Sequence, residues 1–405
     1  MMRKLLALLS IAMFFFSCEK EAVYEADVII ELESSQVTDG NWISEEDGFI
    51  LNGEAGWTSF DLDVTEPGRY RIEVVAEGNG TVWVEDYHSN DDGRTYNITG
   101  SINFDSKEEA VIGKEGSPLN AGMHPMKIHA SGSGLEVDKV LFTKMIDHQT
   151  TPISLEQSYE GSDWQLVWAD EFEGSGLPDS TKWIYDVGNW GWGNNEPQYY
   201  TKSRIENARL EDGNLIIEAR KNDMGEEWTS ARLTTRGRTS FLYGKIEFRA
   251  KVPAADGTWA AGWFLGDDYV DELSWPYCGE IDVLETTGKE IDDETGNGLN
   301  HASCHTRTYY FKEGTHITAT REVENMDDEF HTYGIEWTPE GINAYMDGEF
   351  YYTYDKTANE LEWPFDKPQN IILNLAMGGG MGGAIDPSIT NAQLVVDYVR
   401  VYGKR

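Results

Sequence analysis

The sequence predicts an all-β protein made of two consecutive sandwiches. Its 405 residues are enough for two domains. Short apolar or alternating runs recur between clusters of Gly, Asn and Asp, among them residues 28–33, 58–64, 245–252 and 395–402. The chain lacks the alternation of strand and helix patterns that builds parallel sheets. This succession of short strands and turns therefore favours antiparallel sheets packed face to face.

The smaller sandwich is expected over residues 25–146. Its predicted strands alternate apolar and polar residues and are separated by turns such as the one at 66–68. The opening strand and the closing runs at 122–130 and 135–142 resemble β-sandwich carbohydrate-binding modules of the family 6 and 35 type. Four aromatic residues offer a platform for a sugar ring, although strand tryptophans also pack in cores: Trp42, Trp57, Trp83 and Tyr87.

The N-terminus predicts export. A basic start precedes a short apolar stretch at 5–16, too short to span a bilayer as a helix. This arrangement resembles a lipoprotein signal peptide over residues 1–17, cleaved before a lipid-modified Cys18, with residues 18–24 as a tether. An ordinary signal peptide with a chance cysteine is the alternative. The resemblance implies a bacterial outer-membrane lipoprotein, held to the membrane by its lipid and exposed at the cell surface.

The composition narrows the class of partner. With 32 basic and 72 acidic residues the formal net charge is −40. Such a surface disfavours nucleic acid, because phosphate binding needs lysine and arginine, and it disfavours acidic polysaccharides more weakly. A neutral polysaccharide fits better. Beyond Cys18 only Cys278 and Cys304 remain, so a disulfide framework is not expected and we predict two free, buried thiols.

Three carboxylates lie within six residues of an apolar, β-prone run. In a regular strand Glu280 and Asp282 share one face, whereas Glu285 points to the other. One bulged residue, at Val283 or Leu284, would return Glu285 to the first face. Two carboxylates on one face suit retaining glycoside hydrolysis, which needs a nucleophile and an acid/base about 5–5.5 Å apart. A solvated acidic face and a calcium cluster are the alternatives.

The motifs around these acids resemble those of family 16 glycoside hydrolases, in the laminarinase-like branch. The pattern E-I-D-x-x-E directly follows W-P-x-x-G. The resemblance covers residues 161–405, after a polar linker at 147–160, and implies a concanavalin-like β-jelly-roll whose concave sheet forms an open cleft. Further blocks occur in the order of that branch at 191–196, 230–232, 257–259, 330–337 and 397–402.

The same resemblance implies roles for the acids. Glu280 would be the nucleophile and Glu285 the acid/base. Asp282 would lie between them and help to keep the proton on Glu285. No cofactor for catalysis is implied. The residues implied to contact the sugar are aromatic plates and polar groups around the cleft: Asn195, Glu196, Arg232, Trp259, Trp263, Trp275 and His305.

A structural calcium ion is also implied by the resemblance. Its ligands would be the Asp397 side chain in the last strand and carbonyl groups near the start of the domain, at Glu171 and Gly213.

The expected function is retaining, endo-acting hydrolysis of internal β-1,3 bonds in laminarin-type glucans. Mixed-linkage β-1,3/1,4-glucan is the alternative substrate. A surface glycan-binding lipoprotein that uses the fold only to hold its ligand is the alternative outside the enzyme class. The presence of all three acids argues against that last interpretation.

Overall fold

The structure is a computed structural model that describes residues 25–32, 37–39, 41–45, 48–51, 53–87, 95–147, 154–156 and 163–404. The predicted signal peptide, Cys18 and the tether lie outside the described residues, as does most of the predicted linker. Within the described ranges, no helix is long and apolar enough to cross a membrane.

Within the described residues the chain forms 29 strands. Ten of them belong to the first module and are hydrogen-bonded in the order β2-β5-β9-β6-β10-β4-β3, with β1 on β10 and with β7 and β8 on β6. Their bounds are β1 Val28–Glu31, β2 Val37–Thr38, β3 Trp42–Glu45, β4 Gly48–Leu51, β5 Ala55–Val64, β6 Gly68–Asp86, β7 Tyr96–Asn97, β8 Ile102–Leu119, β9 Gly122–Ser131 and β10 Glu136–Asp147.

The long strand β6 connects the two halves of this module. It pairs with β10 over its first half and with β9 over its second half. At the changeover Gly78 has a φ of 111°, and a Cβ there would lie 2.9 Å from the Gly134 carbonyl oxygen, so the position needs glycine. Both halves of β6 contribute to one buried core, through Ile72, Val74, Val82 and Val84.

The second module contains nineteen strands, two 3₁₀ turns and one short helix. The bounds are β11 Ser154–Glu156, β12 Trp164–Asp170, β13 Ile184–Asp186, β14 Gln198–Tyr200, β15 Ala208–Glu211, β16 Asn214–Asp223, β17 Glu226–Ser230, β18 Arg232–Thr234, β19 Ser240–Leu242, β20 Gly244–Lys251, β21 Thr258–Gly266, β22 Glu280–Thr287, Gly288–Glu290 (3₁₀), β23 Gly298–His305, Phe311–Glu313 (3₁₀), β24 Ile317–Val323, β25 His331–Trp337, β26 Gly341–Met346, β27 Glu349–Asp355, β28 Gln369–Met377, α1 Gly379–Gly382 and β29 Asn391–Lys404.

These strands form two sheets that face each other. One has the order β11-β19-β28-β21-β22-β23-β24, with β18 on β28 and β13 on β18; the other has the order β14-β17-β16-β29-β20-β25-β26-β27, with β12 and β15 at its side. Phe248 of β20 and Phe264 of β21 meet between the sheets, with ring centroids 5.9 Å apart. The all-β prediction and the sandwich of the second module are confirmed.

Individual strands also follow the sequence pattern. The alternating run predicted at 245–252 is β20, whose residues alternate between buried and partly exposed. Asp347 and Gly348, a residue pair typical of tight hairpins, join β26 to β27, and both have positive φ, of 48° and 84°, as a type I′ turn requires. The predicted free thiols are confirmed as well, since Cys278 and Cys304 are buried and unpaired.

The two modules contact each other through Arg69 of β6. Its guanidinium donates a hydrogen bond to the Val187 carbonyl oxygen, lies 3.7 Å from the Asp186 carboxylate and sits 4.9 Å from the Trp192 ring centroid. Burial alone would raise the pKa of Asp186, but Arg236, Arg69 and Arg232 together hold it well below the usual range. The contact is therefore a buried ion network that includes both modules.

We predict that Arg69→Ala weakens the joined fold. The change removes one cation from a buried ion network, and breaking such a pair typically costs about 3 kcal/mol. Arg321 is a matched control, because its ion pair with Glu349 is largely exposed; Arg321→Ala should cost less than about 1 kcal/mol. Denaturant unfolding of the full chain measures both free energies. Equal, small losses in the two variants would show that Arg69 does not hold the modules together.

Candidate active site

A bulge in β22 brings the three acids to one face. In the ladder with β21 the register shifts at Val283, which has no partner on that strand. Val283 and the next residue, Leu284, are both buried in the core between the sheets. Glu285 therefore returns to the face that carries Glu280 and Asp282, and all three line one cleft. The predicted bulge is confirmed.

Each glutamate is oriented by a tryptophan. The Trp275 indole N–H donates to Glu280 Oε2 at 2.9 Å, and the Trp259 indole N–H donates to Glu285 Oε1 at 3.2 Å. These two hydrogen bonds fix a separate direction for each carboxyl group. The indole rings remain part of the cleft lining, so the same side chains also present apolar surface to a ligand.

A buried histidine lies beside the acids. His305 Nε2 lies 3.3 Å from Asp282 Oδ2 and 3.8 Å from Glu280 Oε1. His305 is on β23, whose register places it opposite Glu280, so the two side chains share one face of the sheet. His305 therefore contacts the acids from the neighbouring strand, and its contact with the sugar stays a prediction.

The electrostatics of the cluster favour retention of protons. Burial raises the pKa of Glu280, Asp282 and Glu285, each to about 8, and the charge of Asp282 adds to the effect on both glutamates. Neighbouring carboxylates in a low-dielectric site cannot all ionise at neutral pH. The cluster therefore holds a proton that an acid catalyst can donate, and a proton on one group makes ionisation of its neighbour less costly.

The cleft is a groove that is open to solvent. Five of the predicted sugar contacts line it together with the acids: Glu196, Arg232, Trp259, Trp263 and Trp275.

Arg232 is held rigidly at one side of the cleft. Its guanidinium carbon lies 4.9 Å from the Trp192 ring centroid and 4.7 Å from that of Trp263, and its Nε donates to Asp186 at 3.1 Å. An arginine stacked between two rings and paired with a carboxylate loses little further freedom when a ligand binds. Arg232 is therefore a preorganised donor beside the apolar plates.

Asn195 does not line the cleft with the acids. It takes a positive φ of 59° in the turn at 191–196 and lines a neighbouring cavity between the two modules. Its neighbour Asn194 lines the active-site cleft. A sugar contact by Asn195 therefore stays a prediction.

Several cleft residues were not predicted. Trp192, Gly193 and Asn194 lie inside the motif block at 191–196, and Ala261 and Leu265 lie on β21, which begins in the block at 257–259. Those two blocks carried a usable signal. The other residues come from loops, from β28 or from the first module. The unpredicted lining residues are Tyr96, Trp192, Gly193, Asn194, Ala261, Leu265, Tyr269, Glu272, Phe311, Lys312, Asn374 and Ala376.

One predicted calcium ligand is engaged with an arginine. Asp397 accepts a hydrogen bond from Arg249 through Oδ2. Glu171 and Gly213 are predicted to bind through their carbonyl oxygens; the Glu171 carboxylate pairs with Arg400, at 2.9 and 2.8 Å, and Gly213 lies in a turn with a φ of 75°. Calcium at this place stays a prediction.

A cation at the acids themselves is also disfavoured. Ligand atoms of Glu280, Asp282 and His305 lie within 4.8 Å of one another, the one such group among the described residues. Calcium, however, prefers oxygen ligands, and an imidazole is a poor substitute. Both glutamates also accept indole N–H bonds. The arrangement is better suited to proton transfer and nucleophilic attack.

The predicted sugar platform of the first module is only partly assembled. Trp42 is buried in the core. Trp83 stacks on His129, with ring centroids 5.0 Å apart, and Lys127 Nζ lies 3.8 Å from the Trp57 ring centroid and 4.2 Å from that of Tyr87. These neighbours occupy ring faces that a sugar would need, so ligand binding at this surface stays a prediction.

Comparison with known proteins agrees with this geometry. Residues 195–400 match the model of the family described as glycosyl hydrolases family 16. The chain belongs to this family. A β-glucanase of Rhodothermus marinus is 47% identical over 257 residues, which are 61% of this chain and 88% of that protein. A glucan endo-1,3-β-glucosidase of Cryptopygus antarcticus is 36% identical over 241 residues, which are 56% of this chain and 85% of that protein.

Solved structures show the same fold. The laminarinase from Rhodothermus marinus has a TM-score of 0.56 and 46% identity, over 60% of this chain and 98% of that chain. A non-specific endo-β-1,3(4)-glucanase has a TM-score of 0.56 and 38% identity, over 61% of this chain and 98% of that chain. In both comparisons the matched part of this chain is about as long as the second module. The predicted family and its jelly-roll fold are confirmed.

We predict that Glu280→Gln and Glu285→Gln each lower kcat at least about a hundredfold, because each removes an essential nucleophile or proton donor while keeping the side-chain shape. Glu336→Gln is the matched control, since Glu336 lies on β25 in the opposite sheet. Reducing-sugar release measures activity and circular dichroism checks folding. Near-normal turnover in either folded active-site variant would refute the assigned role.

We predict that Asp282→Asn moves the alkaline limb of the kcat/KM profile to lower pH, by roughly one unit. The negative charge of Asp282 raises the pKa of Glu285, after burial the largest contribution. Without that charge the pKa of Glu285 falls, and the proton donor is lost at a lower pH. A limb that stays in place or moves to higher pH would contradict this coupling.

Proposed function

We propose that the protein is an endo-acting β-glucanase that hydrolyses internal β-1,3 bonds of laminarin-type glucans with retention of configuration. The observation that carries the proposal is the bulged strand, which presents Glu280, Asp282 and Glu285 on one face of an open cleft. Relatives named β-glucanase, glucan endo-1,3-β-glucosidase and laminarinase support this substrate class.

The reaction follows from the positions of the two glutamates. Glu280 attacks the anomeric carbon, a bond forms between that carbon and the carboxylate oxygen, and the glycosidic bond breaks. Glu285 gives its proton to the departing sugar oxygen. A water molecule then attacks the same carbon, gives a proton to Glu285 and releases Glu280. The charge of Asp282 favours the protonated form of Glu285 before the first step.

The cleft surface suits a neutral glucan. A glucose ring has apolar C–H faces and polar edges, so it needs flat aromatic surfaces and a few fixed hydrogen-bond partners. The flat aromatic surfaces are those of Trp259, Trp263 and Trp275. The fixed hydrogen-bond partners are Arg232 and Asn374. The net charge of −40 supports a neutral chain over a sulfated or uronic one.

Mixed-linkage β-1,3/1,4-glucan is a second candidate substrate. It is favoured by the likeness to the structure described as a non-specific endo-β-1,3(4)-glucanase. Separate digestion of laminarin, curdlan, lichenan, xyloglucan and agarose distinguishes the two. We expect the fastest release of oligosaccharides from laminarin. A clear preference for lichenan would replace the first candidate with the second, and digestion of agarose alone would exclude both.

The stereochemistry has its own test. If Glu280 forms a covalent intermediate, two inversions at the anomeric carbon leave the first product in the β form. Proton NMR during early hydrolysis of laminarin follows the anomeric signals before mutarotation equilibrates them. An initial α product would mean direct attack by water, and would overturn the role of Glu280 as nucleophile.

We also propose that the enzyme is held at the outer membrane of a bacterial cell by a lipid on Cys18. The support is the sequence alone, because Cys18 lies outside the described residues. Cys18→Ala should leave the protein without its anchor, so that it appears in the soluble fraction. Mass spectrometry of the mature N-terminus measures the modification directly, and an unmodified terminus at another residue would refute the proposal.

A further inference from the structure

One residue of the first module lies in the active-site cleft of the second. Tyr96, in the short strand β7, lines the same cavity as Glu280, Asp282 and Glu285. Every other lining residue comes from the second module. The matched part of the solved laminarinase corresponds in length to the second module alone. Tyr96 is therefore an addition that the glycosyl hydrolase module does not supply.

The contacts of Tyr96 bridge two loops of the second module. Its hydroxyl group hydrogen-bonds the Glu272 carboxylate, and Lys312 Nζ lies 5.0 Å from its ring centroid. On the other side it meets the turn at 191–196. A Cβ added at Gly193 would lie only 2.2 Å from the Tyr96 oxygen. Tyr96 thus fills the gap between that turn and the loops that carry Glu272 and Lys312.

The position of Tyr96 is fixed from behind. β7 pairs with the end of β6, where Tyr96 is opposite Asp86. The Asp86 carboxylate is buried and lies 2.7 Å from His124 Nδ1. The same strand β6 carries Arg69, whose ion pair with Asp186 joins the modules. Because β6 is held by its Asp86 contact and by its Arg69 ion pair, Tyr96 on the neighbouring strand has little freedom to swing out of the cleft.

Tyr96 marks one end of the cleft. The acids lie on β22, and Arg232 lies on β18. Two strands, β21 and β28, separate β22 from β18 in the sheet. Arg232 stacks on the ring of Trp192. Tyr96 packs against Gly193, which is the next residue after Trp192. The Arg232 side is therefore the side that Tyr96 closes.

We propose that Tyr96 forms an end wall of the glucan-binding cleft, so that the first module limits how many sugar units bind on the Arg232 side of the scissile bond. This inference rests on the proposed function. The cleft is open to solvent above its floor, so a longer glucan leaves the cleft at Tyr96 and internal bonds stay accessible. Product length is then set in part by a residue outside the glycosyl hydrolase module.

The test compares cleavage positions in reducing-end-labelled β-1,3-gluco-oligosaccharides of increasing length, using the full chain. Tyr96→Ala should open the end of the cleft, move the preferred bond by at least one glucose unit and broaden the product lengths. Tyr96→Phe keeps the ring and should retain the wild-type pattern. Val111→Ala is the control in the same module, because Val111 is exposed on β8 and does not line the cleft.

Thermal melting first shows that each variant is folded, and Tyr96→Leu replaces Tyr96→Ala if the latter is not. An unchanged cleavage pattern in the folded variant, with an active wild type, would overturn the end wall and leave the proposed function intact. The same shift in Val111→Ala would also overturn it. No hydrolysis of any β-1,3-oligosaccharide by the wild type would overturn the proposed function and the end wall with it.

Discussion

The active site depends on one irregular residue in β22. Val283 has no partner in the ladder with β21, and it shares the core with Leu284. Without this bulge the alternation of a regular strand would direct Glu285 into the core between the sheets, where a carboxyl group has no partner. The bulge instead places both glutamates in one cleft, where each meets its own tryptophan N–H. Nucleophile and proton donor are thus produced by a local change of strand geometry.

The same burial that assembles the site also tunes it. Burial raises the pKa of all three acids, and their mutual repulsion favours states in which protons are shared among them. His305 supports this cluster from the neighbouring strand, where it contacts Asp282 and Glu280. The tryptophans then have two roles, because the indole rings that line the cleft, where we propose that the sugar binds, also orient the carboxyl groups. Binding and acid–base chemistry therefore depend on the same side chains.

The sequence predicts most of the features that depend on neighbouring residues, such as strands, turns and the bulge. It predicts few of the contacts between residues that are far apart in the chain. Alternation and turn residues are sufficient for strands such as β20, and the odd spacing of Glu285 already indicates a bulge. The motif block at 191–196 does not reveal which of its asparagines lines the cleft: Asn194 does, whereas Asn195 lines a neighbouring cavity. Arg69 and Tyr96 lie far from the second module in sequence, and their roles arise only from docking of two folded modules. No pattern in either module encodes that contact.

The central claim is that Glu280 and Glu285 act as a nucleophile and acid/base pair on one strand face. Incubation with a 2-fluoro laminaribioside carrying a good leaving group should trap the covalent glycosyl-enzyme in a retaining enzyme. The fluorine slows both formation and hydrolysis of this intermediate, whereas the leaving group speeds its formation alone. Mass spectrometry of the digested protein then identifies the modified residue. The account predicts a single sugar adduct on Glu280. An adduct on Glu285, on Asp282 or on a residue outside the cleft would contradict it.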